Sequence, residues 1–176
     1  MKTLDPNSRS AALFSKLTMI KLVLTDCDGV LTDTGVYYSN SGEEMKKFSI
    51  RDGMGVERLR KLLKIETGII TGELSGSVKK RAVKLKIKEL HIGAKNKAAV
   101  LIEIMRRKEL KSENIAFIGD DVNDLEIMNL VGLSACPSDA IEEVKKVSDY
   151  VCKNCGGNGA FREFAELIIN SCYARE

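Results

Sequence analysis

The sequence predicts an α/β protein built on a Rossmann-like, doubly wound parallel sheet with a small β-hairpin flap. Three observations carry that expectation. Strand-length apolar runs alternate with amphipathic stretches of helix length along the chain, a pattern that implies right-handed crossovers and a parallel sheet. Several of the runs stop abruptly at polar residues, among them Asp26, Thr71 and Asp120. The chain has 176 residues, enough to bury one full core and too few for two.

Composition narrows the function classes. With 44% hydrophobic and 30% charged residues the chain reads as a soluble globular protein, and a net charge of +3 is too small to imply nucleic acid. Five scattered cysteines, an odd number, argue against a disulfide framework and fit a reducing cytoplasm. Cys152 and Cys155 form a lone C-x-x-C, and with His91 as the only histidine they read as ordinary thiols rather than a zinc site. Residues 1–18 read as a loose tail leading into a short helix. Their apolar patch, Ala11 to Phe14, is broken by Ser15 and Lys16 and is too polar for a signal peptide. No apolar run reaches the ~18 residues of a membrane span, so no membrane role is expected. Residues 19–176 are then a single domain.

In order, the first strand is the run from Lys21 to Thr25, ending in Asp26-Cys27-Asp28-Gly29. Val36-Tyr37-Tyr38 and Glu43 to Phe48 flank a Ser/Asn/Gly turn and read as the hairpin flap. After Arg51-Asp52-Gly53-Met54-Gly55 an amphipathic helix places Val56, Leu59, Leu62 and Leu63 on one face. Strands follow at 65–70, 89–92, 115–118, 132–135 and 150–151. Helices follow at 75–85 (Val78, Ala82 and Leu85 inward), 96–108 (Ala99, Val100, Ile102, Ile104 and Met105 apolar), through Leu125 to Leu130, at 140–147 and at 160–170. The basic residues between Lys79 and Lys88 read as a solvated helix face.

In a parallel sheet the carboxyl ends of all strands share one edge. That edge receives Asp26 and Asp28, Thr71, Lys97 and the acids Asp120, Asp121 and Asp124. Singly, each has a commonplace explanation as a turn, a cap or a surface charge; together they match a phosphoryl-transfer site by role. Two carboxylates ~4 Å apart at an effective dielectric of ~20 repel by roughly 4 kcal/mol, so a hard divalent cation belongs between them. A carboxylate can attack phosphorus while a lysine and a hydroxyl hold the equatorial oxygens. An acid two residues later can protonate a poor alkoxide leaving group and then deprotonate water.

Asp26-Cys27-Asp28-Gly29-Val30, Thr71, Lys97 and Gly119-Asp120-Asp121-Val122-Asn123-Asp124 resemble the four motifs of the haloacid dehalogenase superfamily phosphatases. The resemblance implies Asp26 as nucleophile and Asp28 as general acid and base. It implies a cofactor, Mg2+, held by Asp26, the Asp28 backbone carbonyl and Asp120, with Thr71, Gly72 and Lys97 binding phosphate. Asp121, Asn123 and Asp124 would support them from outside the metal shell. Only 42 residues separate Asp28 from Thr71, and 25 separate Thr71 from Lys97, too few for the cap domain of larger members. An uncapped site stays open to water unless something covers it, and a homo-oligomer is therefore expected.

Leu31-Thr32-Asp33, Gly42-Glu43-Glu44, Arg51 to Gly55 and Gly156 to Glu163 are similar to the phosphatases of 3-deoxy-2-ulosonic acid phosphates. This finer resemblance implies a small-molecule sugar-acid phosphate as substrate and a homotetramer whose C-terminal tail reaches a neighbour's site. Asp33, Arg51, Glu73, Lys84 and Arg162 are the candidate substrate residues, the two arginines suiting a carboxylate. Arg51-Asp52-Gly53 points to 3-deoxy-D-manno-octulosonate 8-phosphate, an eight-carbon ester. Glu73 and Lys84, with Tyr150 to Lys153, resemble the branch acting on nine-carbon (KDN or sialic acid) 9-phosphates, which stands as the alternative. A phospho-accepting receiver domain and a catalytically silent assembly domain are the competing classes. The leading position of the paired acids disfavours the first, and the retained Asp28 and Lys97 the second.

Overall fold

A computed structural model describes residues 6–174. Strands β1 (Leu22–Thr25), β4 (Glu66–Ile70), β5 (Glu89–His91), β6 (Ile115–Ile118), β7 (Leu133–Cys136) and β8 (Tyr150–Val151) form one sheet in the order β5-β4-β1-β6-β7-β8. Every pairing in it is parallel, and β1 is central, with Thr25 opposite Ile69 on one side and Ile118 on the other. Four of the six strands, β1, β6, β7 and all but the first residue of β4, are buried along their length, as a sheet covered on both faces requires. The hairpin, β2 (Val36–Ser39) and β3 (Gly42–Lys46), is a separate two-stranded sheet with a register shift at Tyr37 and Tyr38.

The helices are α1 (Pro6–Leu17), α2 (Ile50–Arg58), α3 (Gly76–Leu85), α4 (Lys97–Lys108), α5 (Leu125–Leu130), α6 (Glu142–Val147) and α7 (Ala160–Tyr173). The chain winds outward from β1 to β4 to β5, then returns to the other side of β1 as β6. Right-handed crossovers therefore put helices on opposite faces before and after the reversal. Val23, Ile69 and Ile118 share a core with Val56 and Leu59, Val78 and Ala82 of α3, and Phe161, Phe164 and Ile168 of α7. Leu22, Leu24, Ile70 and Phe117 pack on the other face against Leu101 and Ile104 of α4, Ile127 and Met128 of α5, and Val144 of α6.

Two elements depart from the sequence reading. The helix expected after Gly55 begins six residues earlier, at Ile50, because Ser49 caps it by accepting the N–H of Asp52, and it runs on into a wider π turn at Leu59–Leu63. Gly55 is there for proximity rather than as a turn: a Cβ on it would lie 3.1 Å from Cα of Arg162, so the glycine lets α2 approach α7. In α4 the inward face is Lys97, Ala98, Leu101 and Ile104, whereas Ile102 is 60% exposed. The cap at Asn96 sets the helix phase and turns that face inward. The expected tail contains the helix α1 from Pro6 onward, and residues 1–5 lie outside the described residues.

Candidate active site

The strand order reverses between β1 and β6, and in such sheets the crevice beyond the carboxyl ends at the reversal receives the ligand. Asp26 follows β1 directly, and its N–H donates to the carbonyl of Ile118 (3.0 Å), which carries the ladder one residue further and sets its side chain at the head of β6. Asn96 caps α4 by accepting the N–H of Ala99 (2.7 Å), so Lys97 is the first helical residue and lies 4% exposed. Its Nζ lies 2.9 Å from Asp26 Oδ1 and donates to Asp124 Oδ1 at 2.6 Å. The other oxygen of Asp124 accepts the N–H of Asp120 (3.0 Å). Asp124 thus holds the lysine with one oxygen and the loop backbone with the other.

Carboxylate oxygens of Asp26, Asp120 and Asp124 lie within 4.8 Å of one another. Three acids share one ammonium, and the imbalance appears in their proton affinities. Burial, with Asp124 adding to it, pushes Asp26 up to about 7 although Lys97 pulls the other way. Burial, then Asp26 and Asp124, push Asp120 up to about 8. Asp124 is raised as well, by burial. Burial disfavours the charge on Lys97, but Asp26 and Asp124 outweigh it and hold the lysine above its ordinary range.

Those residues fit a divalent cation. Among the described residues Asp120 Oδ1 is buried and makes no hydrogen bond, a costly state for a carboxylate unless an ion completes it. Gly29 leaves this face open: its φ is +91°, and a Cβ there would lie 1.9 Å from Asp120 Oδ2. All the donors are hard oxygens, the set that magnesium prefers.

Asp28 stands beside the cluster in different company. Lys46 of the hairpin donates from Nζ to both of its oxygens at 2.7 Å, and the Thr32 hydroxyl donates to Oδ1 at 3.3 Å. Lys46 was not among the residues expected at the site. Strand alternation does not single it out, because Glu44 on the same strand face is exposed; Lys46, opposite Val36, is buried where the hairpin folds over Asp28, whereas Lys47 faces solvent. Burial opposes the charge on Lys46, yet the Asp28 carboxylate outweighs it and keeps the lysine above its usual range.

Thr71 is 1% exposed at the end of β4; its N–H donates to the carbonyl of His91 (2.9 Å), and its hydroxyl accepts the N–H of Glu73 (3.2 Å). Gly72, Glu73, Lys84 and Arg51 are exposed. Asp33 is ion-paired with Lys47. Asp121 turns back to accept the N–H of Val122 (2.6 Å), and Asn123 is exposed beside it. The glycine-rich segment lies on this chain's own loop after β1, with the N–H of Gly157 donating to the carbonyl of Val30 (2.9 Å). Arg162 pairs through Nε with Glu166 (2.8 Å) of its own helix, a carboxylate that Arg58 also holds. Cys152 is buried with its thiol pushed up by burial, whereas Cys155 is exposed beside Ser138, an arrangement unlike a metal pair.

A family profile described as haloacid dehalogenase-like hydrolase matches residues 72–163. The chain belongs to the haloacid dehalogenase-like hydrolases. It is 38% identical over 160 residues to the 3-deoxy-D-manno-octulosonate 8-phosphate phosphatase KdsC of Escherichia coli, covering 91% of this chain and 85% of that one. Among solved structures, it is similar to the Moraxella catarrhalis 3-deoxy-D-manno-octulosonate 8-phosphate phosphatase in complex with magnesium, phosphate and KDO. That likeness has a TM-score of 0.88 at 33% identity and covers 97% of each chain. The cobalt-bound deoxy-D-mannose-octulosonate 8-phosphate phosphatase of Haemophilus influenzae matches with a TM-score of 0.87 at 36% identity, over 90% of this chain and 92% of that one.

Proposed function

We propose that this protein is a magnesium-dependent phosphatase that hydrolyses 3-deoxy-D-manno-octulosonate 8-phosphate to KDO and phosphate through an aspartyl-phosphate. The observation that carries the reading is the cluster of Asp26, Lys97, Asp120 and Asp124 at the sheet's reversal, with Asp120 Oδ1 left unpartnered. In this reading Asp26 attacks phosphorus, and Lys97 with the Thr71 hydroxyl and Gly72 holds the phosphoryl oxygens. Asp26, Asp120 and the Asp28 carbonyl hold Mg2+, which when bound neutralises charge between nucleophile and phosphate. Asp28 gives its proton to the sugar's leaving oxygen and takes one from the water that cleaves the acyl-phosphate. Asp121, Asn123 and Asp124 support the metal-binding loop.

Asp33, Arg51, Glu73, Lys84 and Arg162 complete the reading as residues that meet the sugar acid. Glu73 and Lys84 favour a second reading, a nine-carbon KDN or N-acetylneuraminate 9-phosphate; the likeness to octulosonate phosphatases places the eight-carbon ester first. Residues 19–176 act as one unit, and a homotetramer with the glycine-rich tail near a neighbour's site is part of the proposal. Exposed Tyr37, Tyr38 and Met45 of the hairpin support such a contact. The odd cysteine count fits a cytoplasmic setting.

The test is phosphate release from the eight- and nine-carbon esters with Mg2+ or with chelator. The expected result is the highest kcat/KM on the eight-carbon ester, loss on chelation, and a fall of at least about 10³-fold in Asp26→Asn. Undiminished release by Asp26→Asn overturns the mechanism, and a nine-carbon preference overturns the substrate.

A further inference from the structure

We infer that Lys46 is a positioning residue for the proton-transferring acid, so that the hairpin is a fixed working wall of the site rather than a loose flap. The inference rests on the reading of Asp28 as general acid and base. Lys46 ends β3, where the two residues before it, Glu44 and Met45, face solvent, yet its side chain is only 1% exposed. Its ammonium bridges both oxygens of Asp28 at 2.7 Å. Two equal bonds from one donor fix the plane of a carboxylate, which a single bond leaves free to rotate. Thr32, four residues further along the same loop, donates to one of the same oxygens (3.3 Å).

The hairpin is anchored from a second side. Glu43 accepts a hydrogen bond from the hydroxyl of Ser75 (2.5 Å), the residue that also caps α3, and lies 3.6 Å from Lys46. Asp28, Lys46, Glu43 and Ser75 thus form one chain of polar contacts from the loop after β1, through the hairpin, to the start of α3. When one of its oxygens carries the proton, the carboxyl keeps the Lys46 bond on the other and presents that proton to the leaving oxygen as the ester P–O bond breaks and the bond from Asp26 to phosphorus forms. Misplacement by about 1 Å costs on the order of 10²-fold in such steps.

The experiment compares two esters that differ in their need for an acid. 3-Deoxy-D-manno-octulosonate 8-phosphate leaves as an alkoxide and needs protonation; p-nitrophenyl phosphate leaves as a stabilised phenolate and does not. In each variant, kcat/KM is measured on both, and the ratio of the first to the second is the readout. Asp28→Asn is expected to lower that ratio by at least about 10²-fold. Lys46→Met is expected to lower it by about tenfold or more, and Lys46→Arg, which keeps a cationic donor, to recover most of it. Equal losses on both esters in Lys46→Met would mean that Lys46 serves phosphate binding or folding, and would overturn the inference. A ratio unchanged in Asp28→Asn itself would instead overturn the role of Asp28. Thermal unfolding of each variant separates loss of fold from either result.

Discussion

At the scale of single residues, Gly29 does as much to define the site as the acids around it. Its positive φ lets the chain turn between Asp28 and Val30, and its missing side chain leaves room for the Asp120 carboxylate. Gly29→Ala puts a methyl group where Asp120 Oδ2 stands, in a backbone region that costs side-chain-bearing residues about 1–3 kcal/mol. The variant is expected to be less stable by that order and to need more Mg2+ for half-maximal activity. Magnesium titration of activity beside urea unfolding checks it, and an unchanged Mg2+ requirement would show that the space is not used. The residue types at this site were legible as a set: each acid, hydroxyl or lysine alone has a commonplace use, but all of them fall at the carboxyl ends of strands on one sheet edge. Lys46 was not legible, since its burial depends on how a separate hairpin folds back over Asp28.

At the scale of elements, the site depends on how α2 and α7 are joined. Asp52, 1% exposed, accepts the backbone N–H of Gly159 (3.2 Å) and of Arg162 (2.9 Å), so an acid inside α2 caps the start of α7. Burial raises its proton affinity, and the two backbone donors oppose the rise. Asp52→Ala leaves both donors without an acceptor and is expected to cost on the order of 2–3 kcal/mol, with Asp52→Asn costing less because one acceptor remains. Urea unfolding gives both values; a loss below about 0.5 kcal/mol in Asp52→Ala would show that water replaces the carboxylate. The glycine-rich segment before α7 rests on the loop after β1, so loosening it is expected to reach Asp28. The sequence pattern places the helix only after Arg51-Asp52-Gly53-Met54-Gly55, where the apolar periodicity starts. The helix includes them because Ser49 caps it and because α7 packs where side chains would otherwise stand.

At the scale of the whole molecule, the site's charge sets how stability depends on pH. Asp26 and Asp120 have folded-state values of about 7 and about 8, above the 3.8 of the unfolded chain. The native state therefore binds protons more tightly than the unfolded state between these limits. The stability this contributes is complete below pH ~4 and lost as pH rises through about 7 and 8. A divalent cation bound at these oxygens reverses the penalty. The metal-free protein is expected to lose melting temperature between pH 6 and pH 8.5, and Mg2+ to raise it more at pH 8.5 than at pH 6. Thermal unfolding in chelator and in Mg2+ checks this, and a magnesium effect equal at both pH values would place the ion elsewhere. The alternation of apolar runs with amphipathic helices by itself determined a parallel α/β sheet, because successive strands joined through helices pair in parallel by right-handed crossovers. The same order determined that Asp26, Thr71, Lys97 and Asp120 meet at one edge. Only the tertiary structure decided which polar groups touch: Asp124 holding both Lys97 and the backbone of Asp120, Lys46 on Asp28, and Arg162 turned to Glu166. Strand periodicity fixes where a side chain emerges, whereas its partner is chosen by packing between elements far apart in the chain.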